Sequence, residues 1–65
     1  MIKPETIKKK VKRITRALDH IEKGMYADMS VELIADQINW LWKFRYISHE
    51  EMSMLADRVI HILED

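Results

Sequence analysis

The chain has 65 residues, one glycine, one proline and no cysteine, and eleven Lys/Arg balance eleven Asp/Glu for a formal net charge of zero. That length bounds it to a single domain, 1–65, with a core that is marginal without a staple or a partner chain, and disulfide and thiolate chemistry are excluded. With 48 % apolar and 34 % charged residues, the composition is that of amphipathic helices rather than of a disordered chain or a turn-rich β fold.

Charged residues follow Ile2 at once, so no signal-peptide core is expected. Pro4 suits the first turn of a helix, where its missing N–H costs nothing, and Glu5 suits the positive end of the helix dipole. Ile7, Val11, Ile14, Leu18, Ile21 and Met25 then recur at alternating spacings of four and three, a heptad seam. Gly24 is a natural stop. The spacing predicts helix 1 over about 4–23.

Ser30 or Asp28 is the expected N-cap of helix 2, predicted over about 31–45. One of its faces carries Val31, Ile34, Ala35, Ile38, Leu41 and Trp42. A second carries Leu33, Trp40 and Phe44. A helix apolar over so much of its circumference needs cover from more than one side. Uninterrupted apolar runs such as Trp40-Leu41-Trp42 fall far short of a membrane span.

Ser48 with Glu51 reads as a capping box, and Ile47 with Met52 as a hydrophobic staple. Helix 3 is predicted over about 49–63. Met52, Leu55, Ala56, Val59, Ile60, Ile62 and Leu63 form its apolar face, with Glu50, Ser53, Asp57, His61 and Glu64 opposite. Short connections imply antiparallel neighbours, hence an all-α three-helix bundle. Its core closes either within one chain or by dimerising with a second copy.

The zero net charge hides a segregation. Residues 1–24 hold eight Lys/Arg against three Asp/Glu, and residues 25–65 hold three against eight. Lys9, Lys12, Arg13, Arg16, His20 and Lys23 lie opposite the seam of helix 1, flanked by Lys8 and Lys10. Three readings of this stripe compete: a solvated face, a phosphate-contacting strip along nucleic acid, or a patch for an acidic protein surface.

Helix 2, the turn and helix 3 imitate a helix-turn-helix. A recognition helix that opens with His49, Glu50 and Glu51 and closes with Glu64 and Asp65 would repel phosphates. Asp57 and His61 are four apart and can pair with one another, and no ligand set for a metal and no cofactor motif is apparent. Serines and threonines lack a neighbouring base, so no catalytic constellation is expected and the chain reads as a non-enzyme.

The reading that remains is a small regulatory module that binds another protein. Leu33, Trp40 and Phe44 are the expected apolar anchor, extended by Met25 and Tyr26 of the first connection. The basic stripe steers the encounter. Nucleic-acid binding through Lys9, Lys12, Arg13, Arg16 and Lys23 is the alternative. The partner is another protein or a second copy of the chain, and no membrane association is expected. The missing cysteine fits the cytoplasm, and short chains of this kind are often phage or mobile-element regulators.

Overall fold

The computed structural model describes residues 3–64. Ile2 and Asp65, which enter the sequence reading, lie outside them, as does Met1. Among the described residues the chain forms α1 (Pro4–Glu22), α2 (Val31–Lys43) and α3 (His49–Glu64). Each helix contacts the other two, which makes an all-α three-helix bundle.

Helix boundaries follow local chemistry. Pro4 opens α1 without a side-chain cap, and the Thr6 N–H donates to the Lys3 carbonyl at 3.0 Å. α1 closes one residue before the expected Lys23. Gly24 takes the left-handed conformation, φ 72°. Its N–H donates to Ile21 O, and the Met25 N–H donates to His20 O at 2.7 Å. These are the paired bonds of a Schellman motif. Ser30 caps α2 by accepting the Leu33 N–H at 3.1 Å. Ser48 does the same for α3 by accepting the Glu51 N–H at 3.1 Å. The staple forms beside it, with Ile47 buried and Met52 half-buried.

α2 is shorter than expected. It ends at Lys43, not Arg45. A second Schellman motif closes it: Arg45 donates to Trp42 O at 3.0 Å and Tyr46 to Leu41 O at 2.8 Å. Here Arg45, not a glycine, holds the left-handed position at φ 63°. The reversal carries Ile47 into the core and leads the chain back into α3.

The core draws Ile7, Ile14, Ala17 and Leu18 from α1, Ile34, Ile38 and Leu41 from α2, and Leu55 and Val59 from α3, with Met29 and Ile47 from the connections. Ile14, Leu18, Ile34 and Leu41 are almost fully removed from water, each contributing about 1.5–3 kcal/mol. The heptad seam is covered unevenly. Val11 and Ile21 are half-buried and Met25 is exposed. The first connection folds back beside α1, so Met29 is buried rather than extending an exposed loop, and Ala17 is buried with it. On α3 the predicted apolar face is only half used. Leu55 and Val59 are buried, whereas Ile60 and Leu63 are exposed.

Arg58 clips α3 to α1. Its guanidinium donates to Glu22 Oε1 from Nε at 3.1 Å, and its Nη2 pairs with both Glu22 and Asp19. The hydrogen bond from Arg58 holds the Asp19 carboxyl below its ordinary value, against the opposing effect of desolvation.

Candidate interaction surface

Leu33, Gln37, Trp40 and Phe44 stand at i, i+4, i+7 and i+11 of α2 and its cap, so they form one strip along the helix. Leu33 is 43 % exposed and Phe44 54 %, while Trp40 is half-buried against the core. The strip ends in an aromatic cluster. Trp40 lies 5.5 Å from Phe44 and 5.2 Å from Tyr46, centroid to centroid, and Phe44 stacks on Tyr46 at 6.4 Å. Lys10 of α1 reaches over Trp40, with Nζ 5.6 Å from the ring centroid, a cation–π contact that fixes the ring from the solvent side.

Beside the strip, Lys10, Arg13 and Ile14 of α1 meet Leu33 and Gln37 of α2 in a cleft of about 180 Å³. Arg13, Asp28 and Met29 belong both to this cleft and to a larger open one of about 530 Å³. The larger cleft gathers Lys9, Lys12, Arg13, Arg16 and His20 on one wall and Tyr26 and Asp28 on the other. His20 Nδ1 lies 3.1 Å from the Tyr26 carbonyl oxygen, the acceptor for an Nδ1–H, which ties the connection to α1.

Four of the five cations expected to act together, Lys9, Lys12, Arg13 and Arg16, therefore share one concavity. Lys23 caps α1 and does not line it. Tyr26 borders the basic cleft instead of extending the aromatic strip. Met25 is exposed and lines neither cleft. Gln37 belongs to the surface although sequence reasoning did not single it out, and Lys10, expected only to flank the basic stripe, reaches over Trp40. Gln37 carried a signal in its register, midway between Leu33 and Trp40 on one helical strip.

Among the described residues the ion pairs are those of Arg58 with Asp19 and Glu22 and of His61 with Asp57 at 4.0 Å. None involves Lys9, Lys12, Arg13 or Arg16. The two carboxylates of the last turns of α1 are already engaged by Arg58, and Asp28, which shares the larger cleft, forms no ion pair with the stripe. Among the described residues no three His, Asp or Glu side chains come together as a metal site, and no helix is long and apolar enough to cross a membrane.

Fold and surface together define an all-α bundle carrying an aromatic strip beside a basic cleft. Comparison of the chain with protein-family models, with curated proteins and with solved structures finds no match.

Proposed function

We propose that the protein is a non-enzymatic docking module of the cytoplasm, which regulates another protein by binding an acidic surface that carries an apolar ridge. The observation that supports this most directly is the exposure of Leu33 and Phe44 on the strip of α2 that also holds Trp40, edged by Lys10 and Arg13. Exposed aromatic and aliphatic groups supply the anchor of an interface, and cations at its rim raise the association rate. Leu33→Glu and Phe44→Ala remove the anchor without entering the core. The experiment compares crosslinked partners recovered by the wild type and by Leu33→Glu, then titrates the purified partner against both chains and against Phe44→Ala. The expected result is a loss of affinity of tenfold or more, about 1.4 kcal/mol per tenfold, and further weakening with salt. Equal affinities for all three chains would sink the reading.

Nucleic acid is the second reading. It is favoured by the convergence of Lys9, Lys12, Arg13 and Arg16 in one cleft faced by Tyr26, since cations track phosphates and an exposed ring stacks on a base. Asp28 in the same cleft opposes it. Four phosphate contacts predict a log–log salt slope of about −3.6 on duplex DNA. Absence of any mobility shift with duplex DNA or RNA at low salt ends this reading.

A further inference from the structure

A groove of about 510 Å³ opens between the start of α1 and the corner that joins α2 to α3. Its floor is apolar: Ile7 and Ile47 are buried there, and Val11 and Tyr46 half-buried. Its rim is charged. Lys8 and Lys12 stand on the α1 wall one turn apart, about 6 Å along the helix. Arg45 stands on the facing wall, and Glu51, in the first turn of α3, is the carboxylate that lines the groove. Among the described residues none of these four forms an ion pair. Glu5 and Glu50 are exposed in the first turns of α1 and α3 and do not line the groove. Farther along α1, Asp19 and Glu22 are taken by Arg58.

Two features of this rim cost the fold stability. Lys8 and Lys12 are like charges at i and i+4, a spacing that destabilises a helix. Arg45 holds the left-handed conformation, φ 63°, where glycine would bear no strain. A glycine would close α2 equally well but would bring no guanidinium to the groove. Strain of this kind persists where a site needs the side chain that bears it. The Arg45 guanidinium lies 5.1 Å over the Trp42 ring, and a stacked guanidinium keeps its N–H donors for a carboxylate.

The charges select the occupant. A single anionic headgroup is satisfied at one point and would leave a cation of the facing wall unmet. A nucleic-acid strand gains nothing from an aliphatic floor and meets Glu51 on the way in. A segment with an aliphatic side chain and separated carboxylates satisfies the floor and both walls together. We infer that the groove docks a short acidic segment of a partner protein, which seats an aliphatic side chain over Ile7 and Ile47 and carries carboxylates to Lys8, Lys12 and Arg45. This site lies beyond the anchor of Leu33, Trp40 and Phe44 and is tested independently of it.

The probe is an octapeptide of alternating Glu and Leu, titrated into the full chain while the methyl resonances of Ile7, Val11 and Ile47 are followed. The expected result is a saturable shift of these methyls that a Gln/Leu peptide does not reproduce. Lys8→Gln and Arg45→Gly should each weaken binding by about fivefold, the most that an exposed ion pair contributes. Leu33→Glu should leave it unchanged. Glu51→Gln preserves the capping box and should tighten binding by about threefold. A gain of affinity cannot come from a damaged fold, so this variant keeps the test decisive. Unmoved methyls at millimolar peptide overturn the inference. So does equal binding of the Gln/Leu peptide, or a shift centred on Leu33 and Phe44 that Leu33→Glu abolishes. Tighter binding of dodecanoate at the same methyls would overturn it in favour of a single-chain amphiphile. Methyl shifts that appear on concentrating the chain alone, and that the peptide cannot displace, would overturn it in favour of a second copy.

Discussion

Two residues hold the left-handed conformation that ends a helix in a Schellman motif, and they differ in what it costs them. Gly24, φ 72°, has no Cβ to clash. Nothing lies within 4 Å of where a Cβ would stand, so Gly24→Ala should cost about 1 kcal/mol through backbone strain alone. Arg45 at φ 63° already bears such strain. Part of it is offset by its cation–π contact with Trp42, worth about 0.5–1 kcal/mol. Arg45→Gly should therefore be neutral to stabilising by up to about 1 kcal/mol, and Arg45→Val should be destabilising by more than Gly24→Ala, since a β-branched residue tolerates positive φ worst. Urea denaturation of the three variants checks the order. A strongly destabilised Arg45→Gly would mean that the guanidinium contact, not the turn geometry, holds the α2–α3 corner. The same pair marks a limit of legibility. Gly24 announces its turn in the sequence because only glycine adopts that conformation freely. Arg45 does not, because its conformation is imposed by the burial of Ile47 and by the return of the chain into α3.

At the scale of elements, α3 is joined to α1 by burial of Leu55 and Val59 and by the Arg58 clip. Asp19, whose carboxyl is held low by that clip, gives the clip a pH signature. A carboxyl with a depressed pKa in the folded state adds stability above its unfolded value, and this is lost as pH falls through the folded one. Thermal melts taken through the acid range should show such a loss in the wild type, and Arg58→Met should flatten that part of the profile while lowering stability at neutral pH. An unchanged acid limb in Arg58→Met would show that the exposed pair contributes nothing, as many surface pairs do. Arg58 was not legible in the sequence. It is a lone cation between the core and wet faces of α3, and its partners lie 36 and 39 residues away. The three helices were legible because caps and periodicity are local. Ser30, Ser48 and the Ile47–Met52 staple stand where their chemistry demands. The covering of each face was not, because it depends on long-range packing. Met29 is indistinguishable from Met25 by type, yet the first is buried and the second exposed, according to how the connection folds back on α1. Leu33, Trp40 and Phe44 could be assigned to one face of α2 from spacing, but not their shared border with Lys10 and Arg13.

At the scale of the whole molecule, the segregation of charge opposes stability. Lys12 is exposed and stands four residues from Lys8 and Arg16 and three from Lys9. Like charges at these spacings destabilise a helix by about 0.2–0.5 kcal/mol per pair. The carboxylates near the end of α1 are engaged with Arg58, and no carboxylate among the described residues pairs with the stripe. Lys12→Glu turns three repulsions into attractions, so it should stabilise the free protein by about 1 kcal/mol, with the gain shrinking as salt screens the pairs. It also places a carboxylate in the cleft that Lys9, Arg13 and Arg16 share. The same variant should then bind an acidic partner, or a phosphate backbone, at least tenfold more weakly. A chain made more stable and less able to bind would identify the stripe as a docking feature kept at a cost to the fold. If Lys12→Glu instead melts lower than the wild type, the stripe is part of what holds α1 together, and the basic cleft loses its claim to function. Denaturation at low and high salt, run beside the binding titration, separates the two outcomes.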